Sequence, residues 1–421
     1  MEVAFTTLGA LIGLALSIIL IIKKVQPAYS LIIGALVGGV VGSSDLVITV
    51  STMVSGAQDM MPSVLRIMTS GILAGTLIKT GAAEKIAETI VDKLGKSRAI
   101  PAIAIATMII CAVGVFIDIA VITVAPIALS IGAKAGYNKS SILLAMIGGG
   151  KAGNIISPNP NTIAVSDAFQ VDLTSLMMKN IIPAIAALIV TILIGVYLTK
   201  KKGEAITEAD LEAKEPDSKL PSFLQAIIGP IVVIGLLSLR PFAGITIDPL
   251  IALPLGGFVC TIACGKAKFT REFMEFGLSK VVGVSVLLIG TGTIAGIIKA
   301  SALQTDVISI IEVLHMPAFL LAPLSGILMG AAAASTTAGS TIASQTFAST
   351  LTSAGIPPLS SGAMIHTGAT VLDSLPHGSF FHATGGSVGQ SIKERMKLIP
   401  YEALVGLTST IVAVILYLVG M

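Results

Sequence analysis

The sequence predicts an all-α polytopic membrane protein built from two inverted-topology repeats, with broken helices and re-entrant hairpins meeting at mid-membrane. Three observations predict it. First, 54% of the 421 residues are hydrophobic and only 12% charged, with 43 glycines and a mean hydropathy of +0.95. Soluble domains carry about 25% charged residues. Second, two polar, proline-containing stretches interrupt the apolar runs, one in each half of the chain. Irregular backbone survives at membrane depth only where it is buried in protein or lines a watery cavity. Third, landmarks in the first half recur in the second. The net charge of +3 is small and points to no nucleic-acid partner. With no tryptophan and 5 tyrosines, the aromatic interface belt is weak.

In chain order, Phe5–Ile22 is long and apolar enough for a span and lacks the basic start of a signal peptide. Lys23 and Lys24 follow it, so the positive-inside rule places the N-terminus outside. Ala28–Val47 is a second span, and Leu46–Met60 a short interfacial or connecting helix. Met61–Leu94 combines an apolar part with an amphipathic part, Ala82–Leu94, carrying Ile86, Ile90 and Leu94 at i+4 spacing. A re-entrant hairpin and a short span plus surface helix both fit it. Ile100–Ile131 is too long for one straight span and contains Asp118, an intramembrane carboxylate that needs a partner or a cavity.

The central break, Gly148–Phe169, carries Lys151, Asn154, Asn159 and Asn161 with Pro158 and Pro160. The prolines remove two amide donors. Asn159-Pro160 reads as N-cap and first residue of a new half-helix. Asn180–Leu198 spans again and ends at Lys200–Lys202, which marks a cytoplasmic connection. The chain therefore divides into a first membrane repeat (1–199), a cytoplasmic linker (200–220) and a second membrane repeat (221–421). In the second repeat, Ala226–Leu239 and Leu250–Ala263 form a pair of spans. Gly292 and Gly296 align with Gly71 and Gly75, Ala318–Phe347 with Ile100–Ile131, and the break around Pro376 with that around Pro160. An odd number of crossings in the first half inverts the second. The last span, Leu404–Val419, carries nothing polar of note. Cys111, Cys260 and Cys264 read as small apolar packing residues rather than a metal site or disulfide framework.

Matched interruptions in two halves are the mark of a transporter's binding site. Half-helix N-termini offer partial positive charge to an anion without arginine. The substrate-binding set is Asn154, Ser157, Asn159, Asn161 and Thr162 from the first break, and Ser374 and His377 from the second. Thr336 and Thr337 join them from the hydroxyl-rich Ala331–Thr352, which also suits tight helix packing. Asp118, Asp373 and His377 are the coupling-ion set, with Asp373 and His377 at i,i+4 taking the proton. Lys151 either supplies a full positive charge or snorkels to an interface. An intramembrane hydrolase based on Ser374 and His377 is disfavoured, since Ser374 does not stand in a G-x-S-x-G and no H-E-x-x-H is present. No cofactor and no metal is implied.

The stretches GAAEKIAETIVDKLGKSRA, SPNP and TVLDSLPHGSFF, with the whole-chain layout, resemble the gluconate permease (GntP) family of bacterial carboxylate:proton symporters, part of the ion-transporter superfamily. The resemblance implies proton-coupled uptake of a small hydroxycarboxylate (gluconate-, glycerate-, hydroxybutyrate- or citrate-like) across the inner membrane, re-entrant hairpins, lipid contact and a homodimer. Asp373, Pro376 and His377 match the family pattern at the second break. At the first, gluconate-type members commonly have a histidine where this chain has Ser157-Pro158-Asn159-Pro160-Asn161. Such Asn, Ser and Thr oxygens with exposed carbonyls also suit Na⁺. A Na⁺-coupled carboxylate symporter, or a cation/proton antiporter using Asp118 and Asp373, therefore stays open.

Overall fold

The computed structural model describes residues 4–43, 45–95, 98–211, 220–303, 305–306, 309, 313 and 317–421. The part of the linker between 212 and 219 lies outside the described residues. The first half runs α1 (Thr7–Ile22), α2 (Pro27–Ser43), α3 (Leu46–Asp59), α4 (Met61–Lys79), α5 (Ala82–Leu94), α6 (Ala99–Ala112), α7 (Ile117–Ala135), α8 (Lys139–Asn154), α9 (Pro160–Ala168), α10 (Leu173–Lys179) and α11 (Ile181–Thr199). The second runs α12 (Phe223–Ala243), α13 (Pro249–Ala263), α14 (Thr270–Lys299), α15 (Leu321–Ala333), α16 (Thr336–Ser353), α17 (Pro358–Ala369), α18 (Ser379–Ser387), α19 (Ile392–Met396) and α20 (Ile399–Leu418). Among the described residues there is no strand, only two isolated bridges. By length and composition, Met61–Lys79, Ile117–Ala135, Ile181–Thr199, Ala267–Lys299 and Ile392–Leu418 can cross a membrane. Shorter apolar helices, α1, α2, α6 and α13 among them, accompany these. The protein is a multi-pass membrane protein.

The apolar part of Met61–Leu94 is therefore a full 19-residue helix, α4, which a turn at Thr80–Gly81 joins to α5. The segment Ile100–Ile131, too long for one straight span, is broken at Gly114. Gly114 takes φ +110°, a left-handed value open to glycine, and lets α6 fold back against α7. The equivalent turn in the second half uses Ala334 at φ +45° between α15 and α16, which also pack together.

The two halves interlock through glycines. A Cβ on Gly277 of α14 would lie 2.0 Å from the Gly71 carbonyl oxygen, and one on Gly75 would meet Gly277 Cα at 2.5 Å. Reciprocally, a Cβ on Gly56 of α3 would sit 2.2 Å from the Gly292 oxygen, and one on Gly296 would meet the Thr52 oxygen at 2.7 Å. Gly56 and Gly277, Gly71 and Gly292, and Gly75 and Gly296 are all separated by the same 221 residues. Each half thus inserts its single glycine between the paired glycines of the other, as a two-fold contact requires. Small residues permit this approach where lipid offers no hydrophobic drive for helix association. Along α3–α4 the contact points rise from 56 to 75 while their partners fall from 296 to 277. The corresponding helices are therefore antiparallel.

The broken helices obey the same relation. Gln390, just past α18, donates to Ser140 Oγ at the start of α8 at 2.7 Å. At the other side, Gly362 near the start of α17 lies beside Val165 and Phe169 at the end of α9. The α8–α9 and α17–α18 pairs therefore run in opposite directions. Helix α16 of the second half packs on α9 of the first, and α7 of the first on α18 of the second. The points where the backbone breaks are brought together by this exchange.

Candidate functional site

Four helices begin around one cavity of about 300 Å³. They are α7, α9, α16 and α18, each following a break, and their first residues Ile117, Pro160, Thr336 and Ser379 all line the wall. Local chemistry sets each start. Asn159 takes an extended conformation and its Oδ1 accepts from the amides of Asn161 (2.9 Å) and Thr162 (3.1 Å), with Pro160 at the first helical position. This is the N-cap read from the sequence. Ser335 caps α16 by accepting from the Ala338 amide. At α18 the cap is Gly378, whose Cβ would lie 2.5 Å from the Ala334 oxygen, so only glycine fits between the two hairpin elements there.

Seven of the sequence-derived residues line this cavity: Asn154, Asn159, Asn161, Thr336, Thr337, Asp118 and Asp373. The remaining four stand behind it. Ser157 and Thr162 are fully buried in the first break. Ser374 donates through Oγ to Asp373 Oδ1 at 2.9 Å. The His377 ring nitrogen Nε2 sits 3.1 Å from the Ala332 carbonyl, so the structure does not place it on Asp373. Pro376 and the turns around it carry the imidazole toward the α15–α16 hairpin instead.

The partner of Asp373 is Lys151, at 2.6 Å, with each side chain 2% exposed. The lysine also donates to the Thr370 oxygen at 2.5 Å and the Glu402 oxygen at 3.4 Å. Thr336 donates to the other carboxylate oxygen of Asp373 at 2.5 Å. Lys151 thus belongs to the site interior and does not snorkel. At the first break, Asn159 Nδ2 bridges to the Asn154 main-chain and side-chain oxygens at 2.8 and 2.7 Å. Asn180 Nδ2 donates to the Ile155 oxygen at 3.1 Å. Among the described residues the side-chain nitrogen of Asn154, a residue that faces the cavity, has no hydrogen-bond partner.

Several participants escaped the sequence reading. Lys280 of α14 lines the cavity. Its signal was a lone charge in the apolar run after Gly277. Arg395 and Glu402 form a second ion pair, both 1% exposed, with Arg395 also donating to Thr384 at 3.3 Å and lying 4.8 Å from the Phe381 ring. The final helix starts at Ile399, so Glu402 stands in its first turn, upstream of the Leu404–Val419 span expected. Only the spacing of the two charges across Pro400 hinted at the pair.

Taken together, the converging amide-bearing helix ends are suited to an anion, while Asp118, Asp373, Lys151 and Lys280 supply charges that can compensate one another. Such a mid-chain cavity, built from broken helices of two related halves, defines a membrane transporter. The model of the GntP family permeases matches residues 5–253. The chain belongs to the GntP permease family. It is 53% identical over 98% of both chains to an uncharacterized transporter of Haemophilus influenzae. A high-affinity gluconate transporter of Escherichia coli is 27% identical over 53% of this chain and 51% of its own. The D-serine transporter DsdX of Escherichia coli is 23% identical over 78% of this chain and 79% of its own. In fold, the chain is similar to the YdaH transporter of Alcanivorax borkumensis, whose crystal structure has an unusual topology, with a TM-score of 0.68, 15% identity and 90% of each chain covered. The family and these relatives are permeases and transporters, not enzymes.

Proposed function

We propose that this permease is a secondary active transporter that takes up a small hydroxycarboxylate with protons across the inner membrane by alternating access. The observation that carries this reading is the convergence of four helix N-termini on one cavity lined with amides, hydroxyls and carboxylates. The substrate carboxylate sits at the helix ends of α9 and α16, where main-chain amides and the unpartnered Asn154 nitrogen donate to it. Its hydroxyls meet Asn161, Thr336 and Thr337. Asp373 takes the coupling proton, and Asp118 supplies a second carboxylate in the same cavity. The gluconate and D-serine of the transporters named above are both small carboxylates that carry a hydroxyl, the chemistry this cavity suits.

The antiparallel relation of α3–α4 to α14 supports repeats inverted across the membrane plane, and the lysines at 23–24 and 200–202 favour a cytoplasmic linker with the N-terminus outside. Thermal stabilisation of the purified protein tests the reading, because a ligand that binds only the folded state raises its melting temperature. A panel of hydroxycarboxylates at mildly acidic and mildly alkaline pH should give a hit, stronger at the acidic pH. Silence across all the acids, with proton/cation exchange in proteoliposomes, would instead favour an antiporter working on Asp118 and Asp373, which line the same cavity.

A further inference from the structure

The three N–H donors of the Lys151 ammonium meet three oxygens: the Asp373 carboxylate at 2.6 Å, the Thr370 carbonyl at 2.5 Å and the Glu402 carbonyl at 3.4 Å. Thr370 is the C-cap of α17, so its carbonyl is one that the break deprives of a helical partner. A carboxylate together with main-chain carbonyls from an unwound helix end is the oxygen set by which transporter breaks hold a small monovalent cation. Here the set is already filled. The ammonium arrives from the other half of the molecule on a side chain that is 2% exposed.

We propose that Lys151 is a tethered cation, occupying at the second break the position a coupling Na⁺ would take. The break is thereby held closed without Na⁺, and transport through it is Na⁺-independent. Arriving protons meet an Asp373 already matched by a fixed positive charge. The other charged or donating groups at Asp373 are Thr336 and Ser374, which donate to it, and Asp118 and Lys280, which line the same cavity. Arg395 and Glu402 neutralise each other behind Lys151. This inference rests on the reading of the cavity as a transport site.

The test is the melting temperature of the purified protein in sodium chloride against choline chloride, with no carboxylate present. Wild type should melt alike in both salts. Lys151→Ala, which leaves an empty oxygen set around the Asp373 carboxyl group, should melt several degrees higher in Na⁺ than in choline, and methylammonium should restore part of the loss. Lys151→Gln, which keeps a donor but no charge, should gain from Na⁺ in the same direction. A Na⁺-dependent gain in wild type overturns the proposal. So does the absence of a gain in both variants, aggregation of both in both salts included. Because the readout contains no substrate, a carboxylate panel that fails leaves this result standing, and the reverse holds as well.

Discussion

The two central breaks face the same difficulty and resolve it with different chemistry. Each ends a helix at mid-chain and strands a C-cap carbonyl: Ile155 after α8, Thr370 after α17. At the first break a neutral amide answers, Asn180 Nδ2 at 3.1 Å, and Asn159 ties both sides of the gap together. At the second the answer is ionic, Lys151 at 2.5 Å, and the lysine is held in turn by Asp373. An amide staple has one state, so its geometry does not depend on protonation. An ion pair has a second state whenever its carboxylate gains a proton. On the proposed mechanism the first break is a fixed element, and the second is the one the coupling proton acts on.

The largest effect should come from breaking the ionic side. Lys151→Met leaves the Asp373 carboxylate buried without its partner, a loss of about 3–5 kcal/mol for such pairs. Pairing it with Asp373→Leu removes both charges and should recover most of that stability. Thermal unfolding of the single and double variants gives the coupling directly. If the double variant melts no higher than the single one, the pair is not what holds the second break.

Next in size is the glycine interlock, which asks whether the halves are equivalent where they cross. Gly56→Ala and Gly277→Ala each press a methyl against a main-chain oxygen, at 2.2 and 2.0 Å before relaxation. Each should cost about 1–3 kcal/mol, the range for overpacking. The two-fold relation predicts comparable drops in melting temperature. A large drop for one and none for the other would show that the crossing is asymmetric in energy although symmetric in position.

Smaller again is the loss of the amide staple. Asn159→Ala removes the cap of α9 and both bonds to Asn154, and caps of this kind are worth about 1 kcal/mol. Its melting-temperature loss should be the same at mildly acidic and mildly alkaline pH, because the groups the staple joins, Asn154, Asn159 and the main-chain amides of α9, do not titrate. A loss that grows with acidity would erase the distinction between a fixed and a proton-sensitive break.

How much of this was legible in the sequence follows from how local each signal is. Asn159-Pro160 states its role in two residues, because an N-cap and a proline at the first helical position act on neighbouring amides. The correspondence of Ile100–Ile131 with Ala318–Phe347, and the glycines at 71, 75, 292 and 296, were readable through repetition. Lys151 was not, because its partner lies 222 residues away and a lysine in an apolar run suits an interface equally well. The i,i+4 spacing of Asp373 and His377 suggested a pair, but Pro376 lies between them and the backbone between Ala369 and Ser379 is not helical. Helical spacing has no force where there is no helix. Arg395 and Glu402 were hidden for a related reason, since they meet across the turn before α20.

The smallest effect lies where the outer ends of the two broken helices meet. Lys139, at the start of α8, donates to Asp210 of the linker at 2.6 Å and to the Gly389 oxygen beyond α18 at 2.9 Å. Burial alone would raise the Asp210 carboxyl above its ordinary 3.8, but the Lys139 ammonium and the Thr207 amide and hydroxyl outweigh it and hold the group down at about 2. A carboxyl depressed by folding adds stability that is fully present above its ordinary value and disappears as the pH falls through its folded one. The melting temperature of wild type should therefore decline between pH 5 and pH 2, and that of Asp210→Asn should decline less steeply. The two curves should approach each other toward pH 2, where the wild-type carboxyl has also lost its charge. Parallel curves across that window would mean that Lys139 is held by Gly389 alone, and that the linker does not join the two breaks at their outer ends.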